Sequence, residues 1–141
     1  PLQNPSGDYA AVIPRWLQAM LKGEEITIFG DGKTTRDFCY IDNAIQMIHL
    51  ALEKNFDSFE VFNVAVGEQT SLTAVANALK NEVREHGHDY DVDYQYTSFR
   101  AGDVRASLAD ISSAKDKLGY NPEVKCLDGI KKYVETFKTN S

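Results

Sequence analysis

Two short segments of the sequence carry the side chains best suited to holding a phosphate group. Arg36 follows the glycine turn Gly30-Asp31-Gly32, and the loop Arg100-Ala-Gly-Asp103 places a second cation three positions from a carboxylate. A guanidinium presents N–H donors in a planar fork that matches phosphate oxygens. The two arginines together are suited to clamp a pyrophosphate, and Asp103 is suited to accept hydrogen bonds from ribose hydroxyls.

Each segment also has an interpretation that needs no ligand. The apolar residues on both sides of the glycine turn are compatible with a plain β-hairpin that carries a solvated Arg36. The loop 100–103 is compatible with an exposed turn and a local salt bridge that contributes less than ~1 kcal/mol. Spacing alone leaves both interpretations open.

The sequence lacks the motifs of metal binding and of the common catalytic centres. Asp89, Asp91 and Asp93 begin a calcium-loop spacing, but the sixth position, which requires glycine, is Tyr94, and the twelfth, which requires glutamate, is Arg100. No Cys/His metal spacing, nucleophile elbow, P-loop, glycine-rich dinucleotide fingerprint or Tyr-x-x-x-Lys pair occurs. We therefore expect no metal site and no catalytic base in this chain.

Composition predicts a single globular domain. The 141 residues are 43% hydrophobic and 26% charged, and the net charge of -6 argues against nucleic-acid or anionic-membrane partners. Cys39 and Cys126 lie in apolar segments, which favours reduced, buried thiols in a cytosolic protein. No apolar run reaches bilayer length and no signal peptide opens the chain. The chain opens with Pro1-Leu2-Gln3, without an initiator methionine, so we expect it to be part of a longer protein.

Hydrophobic periodicity predicts a mixed α/β fold with few strands. Helices are expected at about 10–22, at 42–54 with Asp42 as N-cap, from a Ser71 or Thr70 cap to 87, at 111–118 and at 127–137. Strands are expected at 26–29, 38–41, 59–66 and 91–96, and the third reads as buried on both faces. Such a strand needs neighbours that this chain hardly supplies. The apolar residues that give the second helix its helical pattern are Ile45, Ile48 and Leu52. The residues expected to face inward from the last helix are Leu127, Ile130, Val134 and Phe137.

Five segments in order resemble one known family: 9–16 (YAAVIPRW), 28–32 (IFGDG), 35–43 (TRDFCYIDN), 62–67 (FNVAVG) and 99–105 (FRAGDVR). They are similar to the C-terminal half of extended short-chain dehydrogenase/reductases that act on nucleotide sugars, with the UDP-N-acetylglucosamine 4-epimerase group most alike. The resemblance covers essentially all 141 residues. It implies a single UDP-sugar-binding lobe over 1–141, with the Rossmann domain missing from this chain.

The resemblance also implies a cofactor and an assembly outside this chain. In that family an N-terminal Rossmann half holds NAD and supplies a Ser/Thr and a Tyr-x-x-x-Lys pair, so the chain alone is expected to be inactive. The parent enzyme is expected to be a cytoplasmic homodimer of a polysaccharide or O-antigen pathway. It would oxidise the sugar at C4, let the 4-keto sugar rotate, and reduce it from the other face.

The family's UDP site carries over to positions of this sequence. Arg36 and Arg100 would hold the pyrophosphate, Asp103 would bind the ribose, and the strand from Thr27 to Phe29 would line the uracil. Val12 and Trp16 would lie beside the base.

Three small or polar residues would set the sugar preference. In 4-epimerases a bulky tyrosine shortly after the Arg-x-Gly-Asp loop excludes N-acetyl groups, and here that position resembles Ser107. With Gln3 and Ala11, Ser107 resembles the pocket of enzymes that prefer N-acetylated sugars, because a small side chain frees volume and its hydroxyl can meet the acetamide. The alternative role for Ser107 is a cap on the approach to the next helix.

The resemblance therefore implies that the chain is the UDP-sugar-binding part of an NAD-dependent UDP-N-acetylglucosamine/UDP-N-acetylgalactosamine 4-epimerase. One alternative is another nucleotide-sugar enzyme of the same family, a 4,6-dehydratase or a decarboxylase. A second alternative, from another class, is a non-catalytic nucleotide-sugar-binding or interaction module.

Overall fold

The described part of the chain is a mixed α/β structure, which confirms the predicted fold class. The computed structural model describes residue 3 and residues 11–138. Its helices are α1 (Val12–Leu21), α2 (Ile41–Glu53), α3 (Leu72–Glu85), α4 (Ser112–Leu118) and α5 (Cys126–Lys138). Its strands are short: β1 (Thr27–Phe29), β2 (Thr35–Arg36), β3 (Thr70–Ser71) and β4 (Gln95–Thr97).

Two small sheets join segments that are far apart in sequence. β1 pairs in parallel with β4, with Thr27 opposite Gln95, and β2 pairs antiparallel with β3, with Thr35 opposite Ser71. The strands on either side of the glycine turn therefore belong to different sheets. The plain β-hairpin is wrong, and the turn instead lies beside the loop that follows β4.

The main hydrophobic core lies where α3 packs against both α1 and α5, with β1 beside them. α3 begins as predicted, because the Ser71 hydroxyl accepts a hydrogen bond from the Ala74 N–H at 3.1 Å. A second, smaller core packs α4 and its flanks against one side of α2. The largest fully buried side chains of the main core are Leu17, Met20, Ile26, Ile28, Val75, Leu79, Val83 and Tyr90.

The start of α2 differs from the prediction. The helix begins at Ile41, and Tyr40 occupies the N-cap without a side-chain hydrogen bond. Asp42 lies in the first turn, where its carboxylate pairs with Lys132 of α5 at 3.2 Å. The predicted Asp42 cap is wrong because the helix begins one residue before Asp42, which places its carboxylate inside the first turn.

The apolar stripe whose spacing predicts the helix α2 is exposed in the structure. Ile45, Ile48 and Leu52 all lie at the surface, and Leu52 is 78% exposed, whereas Asn43 and Met47 are buried. Periodicity identifies an apolar face but not the element that covers it, and no described element covers this one. In α5, the prediction that Leu127 and Phe137 face inward is wrong, because both are exposed. Ile130 and Val134 are buried as expected.

Residues 59–66 do not form the predicted buried strand. The segment is irregular, Phe59 is 90% exposed and Val61 is exposed, while Ala65 and Val66 are buried. A strand forms only where a neighbour completes its backbone hydrogen bonds, and no described strand lies alongside this segment. The predicted strand 38–41 is likewise irregular up to the start of α2, and the strand expected at 91–96 is confined to β4.

No helix in the described part of the chain is long and apolar enough to cross a membrane. The predicted cytosolic location stays a prediction.

Asn43 is the most heavily bonded buried polar side chain near the predicted site. It is 2% exposed, its Nδ2 donates to the Val124 carbonyl at 2.7 Å, and its Oδ1 accepts from the N–H groups of Glu123 and Val124 at 3.0 and 3.1 Å. These bonds fix the start of α2 to the segment that leads into α5. The two bonds between Asn43 and Val124 are buried, so water cannot replace them, whereas the bond from Glu123 N–H is only partly buried.

We predict that Asn43→Ala lowers the free energy of unfolding by about 2–4 kcal/mol, because it leaves buried backbone groups without partners. Urea denaturation of the wild type and the variant measures this difference. Asn63→Ala is the matched control, since its exposed side chain donates a single bond to the Asp110 carbonyl at 3.0 Å, and we expect a loss below about 1 kcal/mol. Equal losses in the two variants would contradict the prediction.

Candidate functional site

A cleft of about 630 Å³ lies between α1, β1 and the loop that follows β4. α1 contributes one face through residues spaced three and four apart, Val12, Arg15, Trp16 and Ala19. The Trp16 indole N–H donates to the Thr27 carbonyl at 3.2 Å and so joins the helix wall to the strand wall. Seven of the ten predicted site residues line this cleft: Val12, Trp16, Thr27, Phe29, Arg36, Arg100 and Asp103.

Arg36 is held by three acceptors at the wall of the cleft. Its Nη1 donates to the carbonyls of Thr35, at 2.8 Å, and Val104, at 2.5 Å. Its Nη2 donates to Asp103 Oδ1 at 3.1 Å, across 67 positions of sequence. The alternative of a solvated Arg36 is therefore wrong, and so is the alternative of a purely local salt bridge within the loop 100–103, because Asp103 pairs with Arg36.

Arg100 lies over an aromatic ring. Its guanidinium carbon is 3.7 Å from the centre of the Phe29 ring, which is a cation–π contact at a partly exposed site. The face of Phe29 that is predicted to meet a base is thus covered by a guanidinium. A flat ligand reaches that face only after Arg100 has moved off it.

The loop 98–107, which carries Arg100 and Asp103, is attached to the glycine turn by a second ion pair. Arg105 Nη2 lies 2.6 Å from Asp31 Oδ2, and this hydrogen bond holds the pKa of the Asp31 carboxyl below its usual value. Backbone bonds from Thr35 N–H to the Arg105 carbonyl and from Ser107 N–H to the Thr35 carbonyl, at 3.0 and 3.2 Å, extend the attachment. The sequence shows that Asp31 and Arg105 carry opposite charges, but it contains no signal that the two residues form a pair.

The three residues predicted to meet the sugar do not share a cavity. Gln3 and Ala11 line a second cavity of about 460 Å³ beside Phe38, Tyr40 and α5. Ser107 is exposed and lines neither cavity. Its alternative role as a helix cap is wrong, because α4 begins at Ser112 with Ile111 at the N-cap.

Arg15 is the cleft cation that the sequence did not single out. It lies one helical turn from Val12 and beside Trp16, so it belongs to the same face of α1. The signal that could have found it is this spacing, since a residue three positions from one predicted wall residue faces the same cleft.

The cysteines and acidic residues offer little other chemistry. Cys39 and Cys126 are free and half-buried, less buried than predicted, and burial raises the pKa of both thiols, which makes them poor nucleophiles. Across residue 3 and residues 11–138, no group of three or more His, Cys, Asp or Glu side chains is placed to hold a metal ion. The arrangement is therefore suited to binding an anionic ligand and not to metal or thiol chemistry in the described segment.

Comparison with known proteins decides the family. The family model described as GDP-mannose 4,6 dehydratase matches residues 2–133. The chain belongs to this family.

Three solved structures are similar to the chain. UDP-glucose 4-epimerase of Thermotoga maritima, solved with UDP-glucose, has a TM-score of 0.87 at 38% identity, over 99% of this chain and 43% of that chain. UDP-N-acetylglucosamine 4-epimerase of Methanobrevibacter ruminantium M1, in complex with UDP-N-acetylmuramic acid, has a TM-score of 0.85 at 33% identity, over 100% and 43%. UDP-glucuronic acid 4-epimerase of Bacillus cereus, in complex with UDP-glucuronic acid and NAD, has a TM-score of 0.80 at 30% identity, over 100% and 42%.

These similarities confirm the predicted family and fold. The chain has the fold of the C-terminal half of extended short-chain dehydrogenase/reductase epimerases. It spans about two fifths of the length of the relatives it matches. Curated relatives that the chain matches are named as nucleotide-sugar epimerases, decarboxylases and dehydratases.

We predict that Gly30→Ala destabilises the attachment of the loop 98–107, because Gly30 has φ +80° and an added Cβ would overlap the Phe99 ring. The matched control is Gly87→Ala, which has a similar φ of +86° but no heavy atom within 4 Å of the added Cβ. Urea denaturation should show a loss of about 1 kcal/mol for the control, from backbone strain alone, and a larger loss for Gly30→Ala.

Phe99→Ala tests the cause. In the double variant Gly30→Ala/Phe99→Ala the overlap is absent, so the excess over the control should disappear. An excess that persists without the Phe99 ring would contradict this explanation.

Proposed function

We propose that this chain is the UDP-sugar-binding part of an NAD-dependent UDP-N-acetylglucosamine/UDP-N-acetylgalactosamine 4-epimerase. The observation that carries the proposal is the meeting of Arg36, Arg100 and Asp103 in one cleft that Val12 and Trp16 also line. Two cations beside a planar aromatic surface suit a ligand with a diphosphate at one end and a base at the other.

The cleft suggests how the parts of UDP would be divided among its walls. Thr27 and Phe29 offer a strand edge and a ring for the base, with Val12 and Trp16 lining the same cleft. Arg36 would hold a phosphate, and Arg100 would leave the Phe29 ring, exchange its cation–π contact for a phosphate, and free the ring for stacking. Asp103 Oδ2 would remain available to a ribose hydroxyl.

The oxidation and re-reduction of the sugar would be supplied by NAD, which the similar Bacillus cereus structure contains. The described residues do not fit this cofactor. Their glycine turn leads from β1 into β2, and a dinucleotide pyrophosphate is normally held where a glycine turn leads from a strand into a helix. The proposed role of this chain is therefore to hold the UDP end while the hexose turns, which requires a firm grip on the nucleotide and a loose one on the sugar.

We predict that Arg36→Ala raises the dissociation constant of UDP at least about tenfold, because it removes charge-assisted hydrogen bonds to phosphate. Arg100→Ala should raise it by a smaller factor, since Arg100 is more exposed. Isothermal titration with UDP measures both. Arg84→Ala, an exposed arginine of α3 paired with Asp91, is the control and should bind like the wild type.

Indifference of UDP binding to both cleft variants would contradict the proposed site. It would favour the alternative of a protein-interaction module on the same fold.

We predict that the complete protein, supplied with NAD, interconverts UDP-N-acetylglucosamine and UDP-N-acetylgalactosamine, and that Ser107→Tyr lowers kcat/KM for the N-acetylated sugar at least about tenfold relative to UDP-glucose. The reason comes from the family resemblance, in which a bulky ring at this position excludes the acetamide; Ser107 itself is exposed and lines neither cavity. Ser98→Tyr, at an exposed serine earlier in the same loop, is the control and should leave the ratio unchanged.

The identity of the product tests the alternative within the family. A 4-keto-6-deoxy sugar in place of the epimer would show a 4,6-dehydratase, the activity for which the matching family model is named. The proposed homodimer and the polysaccharide pathway rest on the family resemblance alone.

A further inference from the structure

We propose that Asp103 is a positioning residue for Arg36, which it holds so that the guanidinium offers one pair of N–H groups to a phosphate. This inference rests on the proposed function of the cleft. It differs from the ribose role carried over from the family, because it assigns the other carboxylate oxygen, Oδ1, to the protein itself.

The first step is a count of donors. An arginine guanidinium has five N–H groups, two on each terminal nitrogen and one on Nε. In Arg36 the two on Nη1 are used by the carbonyls of Thr35 and Val104, and one on Nη2 is used by Asp103. The groups that remain are the Nε–H and the second Nη2–H. Nε and Nη2 form one edge of the planar guanidinium, the edge that does not include the fully used Nη1, and two nitrogens of one edge are what a bidentate contact to a phosphate uses.

The second step concerns which acceptor can be removed. The two carbonyls belong to the backbone on either side of the cleft wall and hold Nη1 whatever the side chains do. Among the described residues, Asp103 is the one side chain that accepts a hydrogen bond from Nη2. The ion pair is 29% exposed on the Arg36 side and 35% on the Asp103 side, so it lies at the wall of the cleft and within reach of a ligand.

The third step is the sign of the effect. A carboxylate beside a phosphate site repels the ligand, so Coulomb's law alone predicts tighter phosphate binding when Asp103 loses its charge. Positioning predicts the opposite, because a guanidinium that is no longer held must be ordered by the ligand itself. The two explanations therefore differ in direction, not only in size.

The fourth step separates this role from a contact with ribose. Asp103 Oδ2 makes no hydrogen bond among the described residues, so it remains open to a hydroxyl. Inorganic pyrophosphate has no ribose, and any effect of Asp103 on its binding must pass through the phosphate site.

The experiment measures binding of UDP by isothermal titration, and of inorganic pyrophosphate by competition against UDP, in the complete protein and three variants. Asp103→Asn should weaken pyrophosphate binding roughly threefold to tenfold, since a neutral amide holds the guanidinium less firmly than a carboxylate. Asp103→Glu keeps the charge and should recover part of that loss.

Asp31→Asn is the matched control. It removes the other ion pair that attaches the same loop, the one to Arg105, without touching Arg36 or the lining of the cleft. We expect its pyrophosphate affinity to stay within about twofold of the wild type.

Unchanged or tighter pyrophosphate binding in Asp103→Asn overturns the inference. So does an equal loss in Asp31→Asn, because the cause would then be the attachment of the loop and not the orientation of Arg36. A wild-type protein that binds neither UDP nor pyrophosphate overturns the proposed function itself, and the inference with it.

Discussion

The carboxylate of Asp37 holds together the parts of the chain on which the cleft depends. Its Oδ1 accepts from Val66 N–H at 2.9 Å, and its Oδ2 accepts from the N–H groups of Gly67 and Ala109 at 2.9 and 3.4 Å. A single half-buried side chain thus satisfies the backbone of two distant segments at the edge of the smaller core. Because Asp37 directly follows Arg36, the same bonds fix the backbone from which the phosphate-binding arginine leaves β2. The geometry of the site therefore begins with an interaction that touches no ligand.

An acidic chain can still present a cationic surface where it matters. The net charge is -6, yet Arg15, Arg36 and Arg100 converge on one cleft. Each of the last two is held by its own contact, Arg36 by a carboxylate and carbonyls and Arg100 by a ring. Salt largely screens the interaction between exposed charges that are more than about 8–10 Å apart. A ligand in the cleft therefore responds to the charges it contacts more than to the net charge of the chain. Total charge is a guide to general nucleic-acid binding and a poor guide to a single anionic ligand.

Local signals in the sequence were sufficient for some features and insufficient for others. Short-range chemistry is enough to predict the Ser71 cap, the glycine turn and the inward direction of Ile130 and Val134. The family motifs were enough to predict seven of the residues that line the cleft. Pairings across the chain, such as Asp31 with Arg105, do not follow, because any exposed carboxylate had several possible cations. The exposure of the apolar stripe of α2 and the irregular conformation of 59–66 do not follow from the sequence for a related reason. An apolar pattern shows that a surface prefers to leave water, whereas its burial depends on a neighbour that the pattern does not name.

The fit of Gly30 beneath the Phe99 ring has a consequence for how such proteins diversify. Loops after strands are the usual place where binding preferences change by substitution or exchange. Here the loop 98–107 packs on the segment 30–36 through three contacts: the Phe99 ring against Gly30, the Arg105–Asp31 ion pair and the Arg36–Asp103 ion pair. A loop transferred from another protein without the matching turn would lack the partners for these three contacts. The transplantable module is therefore a discontinuous pair of segments, and an engineer who wishes to alter the ligand must move both together.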